Sequence, residues 1–377
     1  MSRKQLYKYI NQSKPVLEIG PRDNPFVKRE THNVYYADIR DTAGVTAIYK
    51  DYVNVDKNKI IPIDYEITGT YREAVGKRLF STVFSSHVIE HTVDFIGHLI
   101  EINEVLEENG RYIMVVPDKR FTFDHFRAVT PFRDVYDVFL NGENSLKRLV
   151  FDYYFNVTDK LSNHPREYLS RLQSFENLAV DDNIAGFASA QVDKLEDIIG
   201  ALHYWVFTFP SFCALIRDCL RMNLLPYSLE YASGTEIATQ EFSIILKKDK
   251  RIMEVPHYRT EEIVRINKLI EWPCGMHELQ SFCQENNTVY IYGSAVDGKY
   301  ILNRIFMCGY YCRVGGLLIS DSYPKECFKL PVYWISEITP RSDVGIILAM
   351  HESSKVQVLQ KLKCIGFKNI LENPLVD

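Results

Sequence analysis

The sequence has no excess of positive charge, no paired cysteines and no long apolar run. Its 377 residues carry 44 Lys and Arg against 49 Asp and Glu, a net charge of −5, which argues against the broad basic surface of a nucleic-acid-binding protein. All eight cysteines follow residue 212 and none stands in a C-x-x-C pair, a pattern that fits neither a disulfide framework nor a cysteine zinc site. No apolar run approaches the roughly 18 residues of a membrane span.

The expected compartment is the cytoplasm. The first fourteen residues, MSRKQLYKYINQSK, lack the apolar core of a signal peptide. Scattered cysteines in a large chain are typical of reduced thiols. The hydrophobic content of 46% is enough for sizeable cores, and the length exceeds one ordinary domain. We therefore expect two domains.

The stretch from Ser81 to Asp124 reads as strand, loop, amphipathic helix, turn and strand. A β-rich run, VFSS, leads into HVIEHTVDFIGHLIEINEVL, whose apolar residues recur at helical spacing. Asn109 and Gly110 are expected to stop the helix, and RYIMVVP is a second β-rich run that closes at Pro117. A βαβ unit of this size belongs to a mostly parallel sheet, in which ligands bind beyond the carboxyl ends of the strands.

A nucleotide-binding loop is expected earlier in the chain. KPVLEIGPRDNPF reads as a strand that carries Glu18 and ends at Gly20, where the backbone can turn sharply. The next strand, NVYYADIR, ends in Asp38 about eighteen residues later. A carboxylate at that place is positioned to accept hydrogen bonds from ribose hydroxyls.

Together these motifs resemble the class I S-adenosylmethionine-dependent methyltransferases. VLEIG looks like their first motif, Asp38 matches their ribose-binding acid, and SSHVIEH looks like the motif after their fourth strand. SSHVIEH followed by PDKRFTFD is similar, more narrowly, to methyltransferases of bacterial surface-polysaccharide clusters. The resemblance covers roughly residues 12 to 250. It implies S-adenosylmethionine as cofactor and the following binding residues: Glu18, Gly20, Asp38, Asp64 and Ser86.

The loop departs from the family pattern. Where G-x-G-x-G is usual, the chain has Gly20, Pro21 and Arg22. S-adenosylmethionine carries no pyrophosphate, so the loss of glycine is less damaging than in a dinucleotide site. Asp64 is taken to follow the third strand, where the resemblance places an acid near the adenine edge; a solvated loop acid is the alternative.

The candidate catalytic residues are His87, Asp118, Arg120 and Asp124. Methyl transfer needs in-line alignment, and a hydroxyl acceptor benefits from a general base. His87 follows the fourth strand and can face the acceptor. After the fifth strand, Asp118 can serve as base, and Lys119 or Arg120 can hold an anionic acceptor. The alternative for this charged run is a solvated turn that pairs with itself.

Two further histidines have weaker claims. His87 and His91 are four residues apart and share a helix face, as two metal ligands would. No third ligand lies near them in the sequence, so no metal site is predicted. His203 stands beside an aromatic run and either closes the acceptor pocket or packs in the core. Glu241, at the start of the last strand, is a similar weak candidate.

The predicted fold is α/β, with a Rossmann-like methyltransferase domain followed by a smaller Rossmann-like domain. The first domain spans 1–250, and its helical insertion at 121–200 is placed to act as a substrate lid. Residues 251–280 form a helical connector. Residues 281–377 form the second domain. Self-association of the chain stays open.

The second domain has its own glycine loop. Gly293, Ala295 and Gly298 stand at the spacing of a dinucleotide fingerprint with alanine in the middle place, and Asp321 follows about 28 residues on. The segment resembles the nucleotide-sugar-binding domains attached to sugar-modifying enzymes. Ligand binding and a structural or dimerising role both remain open.

The sequence thus predicts a methyltransferase acting on oxygen of a small-molecule sugar, nucleotide-sugar or glycan precursor. One alternative is an NAD-dependent sugar enzyme that uses the C-terminal loop, although no Tyr-x-x-x-Lys pair stands there, since Tyr300 directly follows Lys299. Another is a non-catalytic scaffold, which Arg22 and Ala295 favour.

Overall fold

The computed structural model describes most of the chain. The described residues are 3–52, 55–157, 183–194, 202–235, 239–271, 274–293, 296–307, 309–319, 326–327, 330–350 and 352–372. Much of the predicted insertion, as well as Ala295 and Asp321, lies outside them. The described residues form two sheets, and within them no helix combines the length and apolar character needed to cross a membrane.

The first sheet has seven strands in the order β3-β2-β1-β4-β5-β7-β6. Strands β1 to β5 run parallel, and β7 is antiparallel to both of its neighbours. The predicted mixed α/β fold with a parallel, Rossmann-like sheet is confirmed. The strands are β1 (Val16–Ile19), β2 (Val34–Asp38), β3 (Tyr65–Glu66), β4 (Phe80–Ser86), β5 (Leu106–Pro117), β6 (Tyr227–Ser233) and β7 (Glu241–Lys248).

Helices connect most of these strands and continue into the second half of the chain. No helix follows β1; residues 20–33 form turns and bends instead. The helices are α1 (Thr42–Tyr49), α2 (Tyr71–Val75), α3 (Phe95–Val105), α4 (Phe132–Asn141), α5 (Lys147–Asn156), α6 (Ile184–Val192), α7 (Phe209–Arg221), α8 (Arg251–Glu254), α9 (Pro256–Glu271), α10 (Cys274–Glu285), α11 (Val296–Met307) and α12 (Glu352–Ile365).

The turn predicted at Asn109 and Gly110 lies inside a strand. Helix α3 ends at Val105, and β5 begins at once, with Leu106 paired to Phe80. The next pair joins Arg111 to Thr82, so residues 107–110 loop out of the ladder as a bulge. Asn109 has the positive φ of 62° that this bulge requires. The prediction that Asn109 and Gly110 stop the helix is therefore wrong, because α3 already ends at Val105 and the buried Leu106 begins the strand.

Each face of the first sheet buries its own set of side chains, as the two-residue period of a strand requires. One face, with Leu17 and Val83, packs against helices α2, α3, α7 and α9. The other face, with Val16 and Phe84, packs against the N-terminal 3₁₀ turn Arg3–Tyr9. Both faces are covered, which explains why the strands read as nearly continuous apolar runs.

The second sheet has six strands in the order β10-β11-β9-β8-β12-β13, and only β10 is antiparallel. Its first strand, β8, lies in the middle with β9 on one side and β12 on the other. The chain order therefore reverses at β8, as in a doubly wound nucleotide fold. The strands are β8 (Thr288–Tyr292), β9 (Val314–Ile319), β10 (Glu326–Cys327), β11 (Leu330–Trp334), β12 (Val344–Leu348) and β13 (Asn369–Leu371).

Two glycines of the second loop are required by its geometry. Gly293 has φ of 122°, and a Cβ there would lie 2.4 Å from the carbonyl oxygen of Ala349. A Cβ on Gly298 would lie 2.0 Å from the carbonyl oxygen of Gly293. Helix α11 can approach β8 this closely only without side chains at these positions.

The predicted connector 251–280 is divided between the two cores. Ile252 of α8 and Ile266 of α9 are fully buried in the core of the first sheet. Leu279 of α10 instead belongs to the core of the second sheet. Phe121, after β5, also packs into that second core. The domain bounds at 250 and 280 stay predictions, and we propose from this packing that the chain divides between α9 and α10.

A chain truncated after residue 271 is expected to fold, whereas one truncated after residue 250 is expected to be unstable. The shorter chain loses Ile252 and Ile266, and full burial of each such side chain is worth about 1.5–3 kcal/mol. Thermal unfolding followed by circular dichroism measures the difference. Equal melting temperatures for both truncated chains would show that α8 and α9 do not belong to the first unit.

Candidate functional site

The carboxyl ends of four parallel strands meet at one edge of the first sheet. Strand order reverses between β1 and β4, and in open α/β sheets ligands bind in the crevice at such a point. The loops after these two strands touch, since a Cβ on Gly20 would lie 3.2 Å from Cγ2 of Val88. Gly20 has φ of 66°, so the close approach and the turn both favour glycine.

Glu18 shapes the loop after β1. Its buried carboxylate accepts hydrogen bonds from the backbone N–H groups of Phe26 and Val27, each at 2.7 Å. Arg22 has a left-handed backbone with φ of 51°, and its side chain donates to Asp23 at 2.8 Å. The carboxylate of Glu18 thus faces the loop's own backbone, and the loop presents main chain from Gly20 onward to the crevice.

Asp38 ends β2 at the same edge. Its carboxylate accepts a bond from the backbone N–H of Arg40 at 3.2 Å. Burial raises the pKa of Asp38, although the hydrogen bond and the charge of Arg40 lower it in part. Within the described chain no salt bridge neutralises this carboxylate, so it keeps acceptor capacity for a ligand.

Asp64 lies elsewhere than the sequence predicted. The third strand is Tyr65–Glu66, so Asp64 precedes it, and the expectation that it follows this strand is wrong. Its carboxylate accepts from Arg29 at 2.5 Å and from the backbone N–H of Tyr36 at 2.8 Å. Tyr36 lies in the middle of β2, so this acid stands back from the carboxyl edge where Asp38 lies. The third strand begins after Asp64 because only Tyr65 and Glu66 pair with the end of β2.

Ser86 is the last residue of β4, one position earlier than predicted, and His87 follows the strand directly. His87 has φ of 55°, an unusual value for a residue with a side chain, and its N–H donates to the carbonyl oxygen of Val115. Such backbone outliers cluster at functional sites. The His87 ring lies between two carboxylates, with Nε2 3.0 Å from Glu241 and Nδ1 3.5 Å from Glu90. Glu241 reaches this edge because β7 runs antiparallel and starts there.

Asp118 and Arg120 are brought together after β5 and bind each other. The fully buried Asp118 accepts from the guanidinium of Arg120 at 2.6 Å and from the Thr235 hydroxyl at 2.6 Å. It also accepts from the backbone N–H of Arg120 at 3.0 Å. Both carboxylate oxygens are engaged, so the geometry supports the self-paired turn more than a free base.

Lys119 shares this turn. Burial lowers the pKa of Lys119, while the neighbouring Asp124 and Asp118 raise it in part.

Asp124 lies in a buried network with His203. The Nδ1 of His203 donates to Asp124 at 2.6 Å, and Arg127 donates to the other carboxylate oxygen at 2.8 Å. Arg127 also donates to the carbonyl oxygen of His203 and to Asp152. Burial alone would raise the pKa of Asp124, but His203 and Arg127 outweigh it and lower the pKa. Asp124 therefore holds His203 in place.

A third set of groups meets beside His87. The donor atoms of Glu90, His91 and His203 all lie within 4.8 Å of one another. Glu90 is fully buried, and neither carboxylate oxygen accepts a hydrogen bond from the described residues. Burial lowers the pKa of His91, and the charge of Glu90 offsets this only in part.

No sequence pattern predicts that these three side chains meet. His203 follows His91 by more than a hundred residues, and sequence spacing gave no sign that they meet. The chain is held there because the N–H groups of Tyr204 and Trp205 donate to the carbonyl oxygen of Glu90. The run of buried aromatics after His203 was the one available signal of a segment that crosses the core.

Comparisons with known proteins leave the family of the chain open. No family model and no curated protein matches it. Solved structures that resemble it include the CcbJ methyltransferase from Streptomyces caelestis. That match has 14% sequence identity and a TM-score of 0.24, and it covers 32% of this chain and 49% of the CcbJ chain. The match to the CurJ carbon methyltransferase has 10% sequence identity and a TM-score of 0.30, and it covers 65% of this chain and 51% of the CurJ chain.

The match to the glycopeptide N-methyltransferase MtfA, solved with sinefungin, has 17% sequence identity and a TM-score of 0.23. It covers 31% of this chain and 52% of the MtfA chain. The chain spans about half the length of these methyltransferases. At such TM-scores the matches do not establish a common fold. Function is therefore inferred from the strand order and the site geometry of the chain itself.

Proposed function

We propose that the chain is a class I S-adenosylmethionine-dependent methyltransferase that methylates an oxygen of a sugar or glycan precursor. The observation that carries the proposal is Asp38, a carboxylate without a salt-bridge partner in the described chain. It stands at the carboxyl edge of β2, next to the switch point between β1 and β4. That is where a ribose would present its two hydroxyls.

The edge suits a nucleoside better than a pyrophosphate. Sites for phosphate groups in this kind of fold use the N-terminus of a helix directly after the first strand. Residues 20–33 contain no helix, so that source of backbone donors is missing. S-adenosylmethionine has no phosphate, and the residues proposed to hold it are Asp38 at the ribose and the main chain at Gly20 and Ser86.

Asp64 and Glu18 have different roles in this proposal. Glu18 fixes the loop through its bonds to backbone N–H groups. Asp64 holds Arg29 and β2 behind the site. Both act on the shape of the crevice and not on the cofactor itself.

The bound cofactor supplies an electrophilic methyl group on a sulfonium, so the protein mainly has to align the acceptor and accept a proton. His87 is the proposed base, because it follows β4 and borders the crevice. Glu241, 3.0 Å from Nε2, orients the ring. In that role the imidazole of His87 would accept the proton of the acceptor hydroxyl.

The other predicted catalytic residues position this machinery. Asp118 and Arg120 fix the turn after β5, and Asp124 fixes His203. A sugar or glycan acceptor rests on the resemblance of SSHVIEH and PDKRFTFD to methyltransferases of polysaccharide clusters. Nucleotide-sugar binding by the second sheet is a further candidate, supported by the close contact of Gly298 with Gly293 at the β8 switch point.

Replacing Asp38 with alanine should weaken S-adenosylmethionine binding by about 1.5–3 kcal/mol, the range for a lost hydrogen bond to a charged group. Isothermal calorimetry on the full chain gives the affinity. Asp41→Ala is the matched control, since Asp41 is an exposed acid three residues later that caps α1. Equal affinity for the wild type and a folded Asp38→Ala variant would contradict the ribose assignment.

Incubation with S-adenosylmethionine that carries a deuterated methyl group should label a nucleotide-activated sugar, as detected by mass spectrometry of a sugar panel. His87→Asn should reduce the rate by about 10²–10⁴-fold, the usual contribution of a general base. Its cofactor affinity should stay at the wild-type value. If the His87→Asn variant labels the sugars at the wild-type rate, His87 is not the general base. Cofactor binding without labelling of any sugar would favour another acceptor class.

A further inference from the structure

Glu90 is a buried acid whose carboxylate faces three histidine rings. Its side chain has no exposed surface, and neither oxygen accepts a hydrogen bond from the described residues. Burial of an unpaired carboxylate costs several kcal/mol, so such groups are paired or coordinate a metal. The nearest nitrogen atoms are Nδ1 of His87 at 3.5 Å, Nε2 of His203 at 3.8 Å and Nε2 of His91 at 3.9 Å.

The two other members of the group, His91 and His203, both point an Nε2 atom toward Glu90, and their Nδ1 atoms are held from behind. Nδ1 of His91 donates to the carbonyl oxygen of Leu202 at 3.0 Å. Nδ1 of His203 donates to the carboxylate of Asp124 at 2.6 Å. Because both acceptors lack protons, each neutral ring carries its hydrogen on Nδ1 and a lone pair on Nε2.

This is the arrangement that metal-binding histidines show. A ligating imidazole almost always donates its other N–H to a carboxylate or a backbone carbonyl, which fixes the tautomer and the ring orientation. His203 has the carboxylate and His91 has the carbonyl. Asp124 is itself held by Arg127 at 2.8 Å, so the support extends one layer further.

We propose that Glu90, His91 and His203 bind a divalent transition metal ion. The donor set of two imidazoles and one carboxylate is that of catalytic zinc and non-haem iron sites, which keep coordination positions open. The three donor atoms lie within 4.8 Å of one another. Ligand bonds of about 2.0–2.2 Å require only small side-chain rotations to close that spacing.

The open positions would face the crevice. The side chains of His91 and His87 are 31% and 28% exposed, whereas Glu90 is completely covered. A ligand can therefore reach the metal from the side where His87 stands. If the proposed methyl transfer is correct, the ion would polarise the acceptor hydroxyl and ease its loss of a proton to His87.

Metal binding is tested without any methyl transfer. The full chain, freed of metal with a chelator, is titrated with Co²⁺, whose visible absorption reports ligand number and geometry. Competition with Zn²⁺ then gives the zinc affinity. One ion per chain with a tetrahedral or five-coordinate spectrum is expected. Absence of any such spectrum, or an octahedral spectrum that shows only water and exposed ligands, would overturn the proposal.

Variants locate the site. Glu90→Gln and His203→Asn should abolish the spectrum and reduce zinc affinity by more than about 100-fold, beyond the 10–100-fold cost of losing an outer-shell partner. Asp124→Asn should fall within that 10–100-fold range. The control variant His257→Asn should bind the metal as the wild type does, since His257 is exposed and pairs with the exposed Glu261, at 3.1 Å. His91→Asn, on a partly exposed side chain, serves if a buried variant fails to fold.

Two outcomes separate this proposal from the proposed function. If the wild type binds metal but no cofactor, the methyltransferase proposal fails and the metal site stands. If all four ligand and support variants bind Co²⁺ like the wild type, the three side chains are not the ligands and the metal site is refuted.

Discussion

Parallel pairing of β1 with β4 brings the loop after each strand to one side of the sheet. The register joins Val16 to Thr82 and Ile19 to Ser85, so the two strands end level and their loops touch at Gly20 and Val88. Every candidate site residue at this edge depends on that level ending. A shift of either strand by one residue would turn the apolar side chains of that strand to the opposite face of the sheet.

Buried charge is the second constraint on the site. Asp118 is satisfied by Arg120 and Thr235, and Asp124 by His203 and Arg127. These pairs hold the segments after β5 and before α7 against the sheet. Glu90, the third of these buried acids, accepts no hydrogen bond from the described residues and faces three histidine rings instead, which is why we propose it as a metal ligand.

The sequence allowed much of the first sheet to be predicted, because strand runs, the Gly20 turn and Asp38 are local signals. It placed Asp64 on the wrong side of its strand, since a two-residue strand leaves no apolar pattern to read. It left the pairing of Asp118 with Arg120 as one of two alternatives, because a run of charged residues reads the same in the sequence whether it is buried or exposed to solvent. The meeting of His203 with His91 depends on how a long aromatic segment crosses the core, which no spacing rule contains.

The central claim is that the crevice between β1 and β4 binds S-adenosylmethionine. Hydrogen–deuterium exchange of the full chain with and without the cofactor tests it most directly, because the two glycine loops lie on separate peptides. The account predicts slower exchange at residues 20–27, 38–41 and 86–91, with the loop at 293–298 unchanged. Protection confined to residues 293–298, or no protection at saturating cofactor, would contradict it.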